Sequence, residues 1–137
     1  MQRTLTILKP DSVAAGNAGN ILAHLEREGF RVLSLRKLHL TRAQAEAFYA
    51  VHRERPFFGE LVSFMTGGPV IVAALEREDA VRSLREAMGA TDSTQAAEGT
   101  IRNLYGTDIQ NNAIHGSDSP ENAAIELAFF FAGCDLL

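Results

Sequence analysis

Hydrophobic residues recur along the chain at two spacings, every second position in some segments and every third or fourth in others. The first spacing is typical of strands and the second of amphipathic helices. The two kinds of segment alternate, separated by glycine and proline. The pattern predicts strands over residues 3–8, 31–40 and 70–75, helices over residues 18–28, 42 to about 55, 60–65, 79–88 and from 119 onward, and a short final strand over residues 128–131.

Local signals refine several of these predicted elements. Thr41 and Gln44 have the spacing of a capping box, with Thr41 as the N-cap. Ser119 is followed by proline, the arrangement of an N-cap and a first helical residue. The second strand loses its alternation near residues 36–37, which predicts a β-bulge there. The apolar run of residues 70–75 predicts a strand that is buried on both faces.

The same periodicities predict which helical side chains face the interior. The residues predicted to point inward are Ile21, Leu22, Leu25, Ala47, Phe48 and Val51. His24 is predicted to be exposed on its helix, and His39 to lie in the second strand or at its edge. With two layers, the order of elements predicts an α/β (α+β) fold, a ferredoxin-like sandwich. Its sheet would be four-stranded and mixed or antiparallel, with the helices packed on one face.

Residues 89–114 interrupt this alternation with a long stretch of weak periodicity. Loops of that length in compact domains are usually functional or disordered. The chain has 137 residues, which suits a single domain over residues 1–137.

Net charge, cysteine content and the length of apolar runs limit which partners and which cell compartment are expected. A net charge of −4 argues against nucleic acid as a main partner. Cys134 is the lone cysteine, so no internal disulfide is expected, and a reducing compartment is the default. No apolar run approaches the roughly 20 residues of a membrane span, and no signal-peptide pattern precedes the first strand. We therefore expect a soluble cytoplasmic protein with no membrane partner.

The stretch of weak periodicity and its flanks collect polar residues suited to a phosphorylated ligand. These are Arg85, Thr91, Arg102 and Asn112, with Lys9 at the end of the first strand. Arginine, lysine and threonine suit phosphate oxygens, and asparagine suits a hydroxyl. From these residues alone, a solvated loop with scattered surface arginines is the more common interpretation.

His115 lies just before a predicted helix N-terminus, where backbone N–H groups favour negative charge. Gly116 after it would leave one side of the imidazole sterically open. Ser117 is close in sequence, and Glu126 lies on the following helix. A carboxylate that accepts one imidazole N–H would leave the other ring nitrogen as a nucleophile or general base. The alternative is a turn histidine in a polar loop.

Two further features leave their own alternatives open. The four histidines show no short metal-ligand spacing, so no transition-metal site built by the protein is expected.

Phe57 follows a predicted helix end beside a second phenylalanine. It could stack on a nucleobase through its π face, although core packing is the commoner fate of such a pair.

Taken together, the motifs resemble those of the nucleoside diphosphate kinases. Residues 112–119, Asn-Ala-Ile-His-Gly-Ser-Asp-Ser, resemble the active-site signature of that family. Other blocks resemble further family motifs in the same order, at residues 9–11, 49–52, 55–58, 63–69, 89–91 and 99–102. The resemblance spans essentially the whole chain.

The resemblance implies a phosphotransferase that moves the γ-phosphate of a nucleoside triphosphate, typically ATP, to nucleoside diphosphates and so maintains NTP and dNTP pools. The mechanism it implies is ping-pong, through a phosphohistidine at His115. Glu126 would hold the other ring nitrogen, with Ser117 bracing it. The residues implied to line the phosphates and ribose are Lys9, Tyr49, His52, Arg85, Thr91, Arg102 and Asn112. Those implied to contact the base are Phe57 and Leu61, with Ile109 on its opposite face.

The resemblance also implies that Mg²⁺ enters with the nucleotide phosphates and has few or no protein ligands. It implies a homo-oligomer, either a dimer, a tetramer or a hexamer. The chain departs from the family pattern after Arg102, where Leu104 stands between Asn103 and Tyr105 in place of an acid. This departure bears on the bracing of the loop and on subunit contacts rather than on the chemistry.

Two alternatives of other classes remain, a nucleotide-sensing module without turnover and a nucleic-acid-binding module. The presence of His115, Lys9, Arg102, Asn112 and Glu126 together favours the enzyme over the sensor. The negative net charge and the lack of paired aromatic residues within one strand argue against the nucleic-acid module.

Overall fold

A computed structural model describes all 137 residues of the chain. The strands are β1 (Gln2–Leu8), β2 (Arg31–Leu38), β3 (Val70–Arg77) and β4 (Ile114–Gly116). The α-helices are α1 (Pro10–Ala14), α2 (Ala18–Arg27), α3 (Arg42–Phe48), α4 (Phe58–Met65), α5 (Ala80–Met88), α6 (Ile101–Tyr105) and α7 (Pro120–Phe130). Short 3₁₀ turns cover Ala50–His52, Ser93–Gln95 and Gly133–Leu136.

The four strands form one sheet in the order β2-β3-β1-β4. Every neighbouring pair is antiparallel, which confirms the predicted four-stranded ferredoxin-like sheet and selects the antiparallel alternative. The short strand β4 lies at one edge, where Ile114 is opposite Leu8 and His115 is opposite Ile7. The sheet therefore carries His115 beside the end of β1, the strand that leads into Lys9.

Strand β3 separates two hydrophobic clusters. Val70, Val72 and Ala74 belong to the cluster that includes residues of α3, α4 and α7. The alternate residues, Ile71 and Ala73, belong to the cluster that includes residues of α2, α5 and α6. Helices therefore cover both faces of the sheet, and the predicted packing on one face is wrong. The apolar run of β3, correctly predicted to be buried on both faces, already required two layers of helices.

The fourth strand is not where the pattern predicted it. Residues 128–130 are the last residues of α7, Phe131 is its C-cap, and the strand at this edge of the sheet is β4. Ala123, Leu127 and Phe130 are buried at helical spacing, so the final apolar run is one face of a helix. Strand β4 has three residues, too few for a period to be seen, and its pairing with β1 defines it. The helices α1 and α6 were also absent from the predicted pattern.

Helix α3 ends at Phe48, earlier than predicted, and a 3₁₀ turn follows. The turn changes the periodicity, so Val51 is 87% exposed although it was predicted to point inward. Ala47 is also exposed, and Ala45 is the buried alanine of this helix. Phe48 is thus the last residue of α3, and the buried Tyr49 is its C-cap.

Two predictions for α2 and β2 are also wrong. His24 is buried on α2, where its Nε2 lies 3.6 Å from the Glu28 carboxylate. The β-bulge of β2 lies between Val32 and Ser34 rather than at residues 36–37. His39 follows the last residue of β2, at the strand edge as predicted, and its Nε2 lies 2.6 Å from the Thr66 carbonyl.

Both predicted N-caps are confirmed. Thr41 Oγ1 accepts the Gln44 N–H at 3.1 Å, and Gln44 Oε1 accepts the Thr41 N–H at 2.9 Å. Ser119 Oγ accepts the Asn122 N–H at 3.1 Å. The caps fix where α3 and α7 begin, and these helices carry Phe48 and Glu126 respectively. None of the helices combines the length and the apolar character needed to cross a membrane.

Candidate active site

The imidazole of His115 is tied to one carboxylate. Its Nε2 lies 2.9 Å from Glu126 Oε1, and Ser117 Oγ donates to the same oxygen at 2.8 Å. Both partners of this contact are about one-fifth exposed at their side chains. A carboxylate accepts and does not donate, so Nε2 carries the hydrogen and Nδ1 of the neutral ring carries the lone pair. The arrangement leaves Nδ1 free to react.

The backbone around His115 is held from both sides. Thr6 on β1 donates from Oγ1 to the His115 carbonyl at 2.8 Å. Arg102 donates from Nη2 to the Ile114 carbonyl at 2.8 Å. The ring of Phe48 meets the imidazole edge-on, with 5.7 Å between centroids and 76° between planes. The imidazole therefore has a fixed position before any ligand binds.

Gly116 allows β4 to pack closely against α5. A Cβ at this glycine would lie 2.6 Å from Met88 Sδ and 2.9 Å from Leu84 Cδ2. The space beside the Gly116 backbone is thus filled by Leu84 and Met88 of α5, while His115 and Gly116 both line a cavity of the site. Only a glycine lets β4 approach that helix so closely.

Two buried cations lie next to the imidazole. Lys9 Nζ donates to Asn112 Oδ1 at 2.8 Å, and Asn112 Nδ2 donates to the carbonyls of Thr91 and Ile109 at 2.9 and 3.1 Å. Arg102 Nη1 donates to the Gly89 carbonyl at 3.1 Å, while its buried Nε has no partner. The guanidinium thus retains a donor that is not satisfied within the protein.

The pKa values of Lys9 and Arg102 are both lowered, which indicates that positive charge in the site exceeds negative charge. Burial, reinforced by the charge of Arg102, lowers the pKa of the Lys9 amine to about 8. Burial, reinforced by the charge of Arg85, lowers the pKa of the Arg102 guanidinium to about 10. Positive groups that lower one another's pKa are stabilised by an anionic ligand.

Tyr49 supplies a neutral hydroxyl. Its side chain is buried against Phe48, with 4.9 Å between ring centroids, and its hydroxyl has no partner. Burial and the nearby charge of Glu126 raise the pKa of Tyr49 far above its ordinary value. The group therefore remains a phenol that can donate a hydrogen bond.

Two adjoining cavities bring the predicted residues together. The α7 cavity, of about 280 Å³, is lined by Tyr49, His52, Arg85, Thr91, Arg102, His115 and Glu126 among others. The α4 cavity, of about 480 Å³, is lined by Lys9, Phe57, Leu61, Thr91, Arg102, Ile109, Asn112 and His115 among others. Thr91, Arg102 and His115 line both, so the cavities form one cleft. Ser117 lines neither cavity and reaches the site through Glu126.

The outer part of the α4 cavity is apolar and open. Phe57, the N-cap of α4, is 47% exposed, and Ile109 on the loop before β4 is 64% exposed. Leu61 follows one turn after Phe57, and the His52 ring lies 5.5 Å from the Phe57 ring. Phe57 therefore takes the exposed alternative rather than core packing, and its partner Phe58 packs against the core.

Sequence reasoning missed several residues that line the cleft. The unpredicted lining residues are Phe48, Val51, Gly116, Asp118, Asn122, Ile125, Glu60 and Gln110. Asn122 precedes Glu126 by one helical turn, a spacing that could have placed it on the same face of α7. Phe48 was predicted only as a core residue, and nothing in its spacing pointed to His115.

The departure after Arg102 has a local structural consequence. Asn103 Oδ1 accepts the Gly99 N–H at 3.2 Å, so this side chain braces the loop at the start of α6. Leu104, at the position of the missing acid, is 51% exposed. The bracing of the loop is thus provided one residue earlier.

The cleft does not have the donor set of a metal site built by the protein. No three His, Cys, Asp or Glu side chains are grouped closely enough to hold a metal ion. The acidic residues that line it are Asp118 and Glu126 in the α7 cavity and Glu60 in the α4 cavity. Glu126 is already engaged with His115 and Ser117. The donors fit a polyphosphate that brings its own cation.

Comparison with known proteins gives a consistent result. The family model described as "Nucleoside diphosphate kinase" matches residues 2–136. A Sorangium cellulosum protein named "Nucleoside diphosphate kinase" is 57% identical over 136 residues, which cover 99% of this chain and 94% of that protein. A Chlorobium chlorochromatii protein of the same name is 58% identical over 132 residues, or 96% of this chain and 94% of that protein.

Solved structures agree in fold. The nucleoside diphosphate kinase of Aquifex aeolicus matches with a TM-score of 0.97 and 49% identity, covering 99% of both chains. That of Halobacterium salinarum, solved in complex with CDP, matches with a TM-score of 0.94 and 41% identity, covering 99% of this chain and 91% of the other. At these identities the likeness extends from fold to family.

Proposed function

The chain belongs to the nucleoside diphosphate kinase family, and from this premise we propose that His115 is the residue that carries the phosphate. The reaction is transfer of the γ-phosphate of a nucleoside triphosphate to a nucleoside diphosphate, by a ping-pong mechanism through a phosphohistidine. The single observation that supports His115 is the contact of its Nε2 with Glu126, at 2.9 Å, in a cleft lined with cations.

Each half-reaction is a displacement at phosphorus. Nδ1 of His115 attacks the γ-phosphorus in line, and the bond to the bridging oxygen breaks as the N–P bond forms. The nucleoside diphosphate leaves with the bond's electron pair. A terminal oxygen of the next nucleoside diphosphate then attacks the phosphohistidine, and the N–P electron pair returns to Nδ1. One site serves donor and acceptor in turn.

Glu126 and Ser117 act on the imidazole rather than on the phosphate. Positive charge grows on the ring as Nδ1 bonds to phosphorus, and the Glu126 carboxylate at Nε2 stabilises it. Ser117 Oγ donates to the same carboxylate oxygen and orients it. The roles correspond to those of the carboxylates that orient catalytic histidines elsewhere.

Lys9, Arg85 and Arg102 stabilise charge on the transferring group. The transition state spreads negative charge over three equatorial oxygens, which suits fixed cationic donors. Thr91 and the neutral hydroxyl of Tyr49 add hydrogen bonds to phosphate oxygens. Asn112, positioned by Lys9, and His52 are assigned to the phosphate–ribose side of the nucleotide.

Phe57, Leu61 and Ile109 are assigned to the base. Phe57 offers a π face and the two aliphatic residues offer apolar surface at the open part of the cleft. Every base has a π face, so stacking tolerates all of them. Selection by base identity is not required of these contacts.

Mg²⁺ is proposed to enter as part of the nucleotide, held by phosphate oxygens. When bound, it neutralises charge on the phosphates. Support comes from the donor set of the cleft, which offers cations and neutral donors rather than grouped carboxylates.

The whole chain is proposed to work as one domain, since Lys9 and Glu126 come from opposite ends of the sequence and meet at one site. A homo-oligomer, either a dimer, a tetramer or a hexamer, is proposed from the family resemblance, and native mass measurement tests it. A cytoplasmic location is also proposed, consistent with a free and exposed Cys134.

The test of His115 is transfer of labelled phosphate. The protein is incubated with γ-labelled ATP and Mg²⁺, separated from nucleotide and then mixed with unlabelled GDP. We expect an acid-labile, alkali-stable label on the protein that is chased into GTP and is absent in folded His115→Ala. A His115→Ala protein that still takes label and passes it on would overturn the assignment. A folded wild-type protein that binds ATP without taking label would favour a nucleotide sensor.

A further inference from the structure

We propose that Asp11 is a positioning residue for the phosphoryl transfer, because its carboxylate holds the turn at Ala113 that sets Asn112 and His115. No part of Asp11 is assigned above to the nucleotide. The inference rests on the proposed role of His115 as the nucleophile.

Ala113 is one of two non-glycine residues in the chain with positive φ, at 72°. The Ile114 N–H donates to the Asn112 carbonyl at 2.8 Å, which closes a three-residue turn centred on Ala113. A γ-turn with positive φ at its centre is rare and strained. A residue with a Cβ persists in such a conformation only where its surroundings hold it.

The groups that hold Ala113 belong to residues 9–12, the short segment directly after β1. Asp11 Oδ2 accepts the Ala113 N–H at 3.1 Å. The Ala113 carbonyl accepts the Lys9 N–H at 2.9 Å and the Ser12 hydroxyl at 2.8 Å. Ala113 and Ser12 are buried, so water cannot replace these contacts. Both polar groups of the strained residue are therefore satisfied by residues 9–12.

The turn lies between two site residues. Asn112 precedes it and accepts a hydrogen bond from Lys9 Nζ at 2.8 Å. His115 follows it on β4, two residues after Ala113. If the turn relaxed toward negative φ, the Asn112 side chain and the imidazole would change their relative positions. Three hydrogen bonds to the backbone of one residue, Ala113, thus fix the spacing between the Lys9–Asn112 pair and the nucleophile.

Outside the first turn of its own helix, the Asp11 carboxylate makes one hydrogen bond, to the Ala113 N–H. Its Oδ1 is buried without a hydrogen-bond partner. Burial raises the pKa of the Asp11 carboxyl, and its hydrogen bond to the Ala113 amide opposes that rise. The hydrogen bond to Ala113 is the contact that links this carboxylate to the strained turn.

The test compares Asp11→Ala with Asp11→Asn, with Ala113→Gly and with the double variant Asp11→Ala/Ala113→Gly. Alanine removes the acceptor, whereas asparagine can keep it through its amide oxygen. Glycine adopts positive φ without strain, so it should need less support from residue 11. Asp135→Ala is the matched control, since Asp135 Oδ2 accepts the Ala132 N–H at 3.0 Å in the C-terminal 3₁₀ turn.

The readout is the single-turnover rate of protein phosphorylation by γ-labelled ATP at saturating nucleotide, with thermal unfolding measured beside it. We expect Asp11→Ala to lower the rate by about ten- to a hundredfold, as for a misplaced catalytic group. Asp11→Asn should retain most of the rate. Relative to Ala113→Gly alone, adding Asp11→Ala should cost much less than it does in the parent protein. Asp135→Ala should leave the rate unchanged.

Two results would overturn the proposal. One is a folded Asp11→Ala protein with the parent rate. The other is an equal loss from Asp11→Ala with alanine or glycine at residue 113, which would mean that Asp11 acts independently of the turn. Failure of the His115 assignment is a separate outcome, since it would appear as label on the His115→Ala protein whatever residue stands at position 11.

Discussion

The two ends of the cleft are built in opposite ways. At the His115 end, comprising Lys9, Arg102, Asn112, His115 and Glu126, the polar side chains are largely buried and hydrogen-bonded to the protein. At the Phe57 end, comprising Phe57, Leu61 and Ile109, the side chains are apolar and partly or largely exposed. One end is held in place by directional contacts and the other makes few of them.

The difference corresponds to what each end has to do. A buried donor or acceptor cannot move without losing a partner, so the geometry at the His115 end exists before the nucleotide arrives. Transfer of a phosphoryl group depends on that geometry to within a fraction of an ångström. An exposed apolar surface imposes no hydrogen-bond pattern, so the base contact proposed for it would accept any base. We infer that rate is set at the His115 end and affinity is tuned at the Phe57 end.

The largest expected effect comes from the contact that orients the imidazole. Replacing Glu126 by alanine should slow phosphorylation of the protein by about a hundredfold, since the ring loses its fixed orientation and its stabilising charge. The apparent affinity for ATP should change little. Single-turnover labelling over a range of ATP concentrations separates the two quantities.

Glu126→Gln is the conservative control for that prediction. It keeps an acceptor for Nε2 and Ser117 but removes the charge, so its rate should lie between those of the parent and Glu126→Ala. An unchanged maximal rate in Glu126→Ala, or a loss confined to affinity, would contradict the orienting role.

The next effect is a pH dependence at the same end. Burial lowers the pKa of Lys9 to about 8, so the free enzyme loses this positive charge as pH rises through that value. The parameter kcat/KM reports groups of the free enzyme, and it should fall by about tenfold per pH unit above the pKa. Arg102, with its pKa near 10, stays charged over most of this range. Steady-state rates between pH 6.5 and about 9.5 measure the fall.

Lys9→Met provides the control for the pH profile. Its kcat/KM should be lower at neutral pH and should show no fall centred near the Lys9 pKa. A parent profile that stays flat through pH 9, or an alkaline fall that survives in Lys9→Met, would show that Lys9 is not the group that titrates.

The smallest expected effect lies at the Phe57 end. Phe57→Ala removes a stacking surface, which is worth roughly 1–3 kcal/mol per base, so KM should rise roughly tenfold for ATP, GTP, CTP and UTP alike. The maximal rate should be nearly unchanged, because the His115 end is untouched. Phe57→Trp, which keeps a π face, should bind like the parent. A loss of affinity confined to one base would contradict stacking and would point to reading of base edges.

The fold was predictable where periodicity was long enough to be seen. The buried run of β3 and the caps at Thr41 and Ser119 were readable because each depends on neighbouring residues alone. Strand β4 was not, because three residues show no period and only pairing with β1 makes them a strand. Residues 128–131 were misassigned because a short apolar run fits a strand and a helix face equally well.

The site, like the fold, could be predicted from the sequence only in part. Residue chemistry pointed to a phosphate ligand and to His115, and the family resemblance supplied the remaining assignments. Two contacts of the site join residues far apart in sequence. Phe48 contacts the His115 imidazole, and Asp11 accepts a hydrogen bond from the Ala113 N–H. Such contacts have no local signal, and the left-handed conformation of Ala113 could not be anticipated from an alanine.

The most direct test is to find which nitrogen carries the phosphate. Because Nε2 is bound to Glu126 at 2.9 Å, the free lone pair of the neutral ring is on Nδ1. ³¹P and ¹⁵N NMR of the protein labelled with ATP distinguishes the two phosphohistidine isomers. The account predicts phosphate on Nδ1 of His115 alone. Phosphate on Nε2 of His115, or on any other residue, would contradict it.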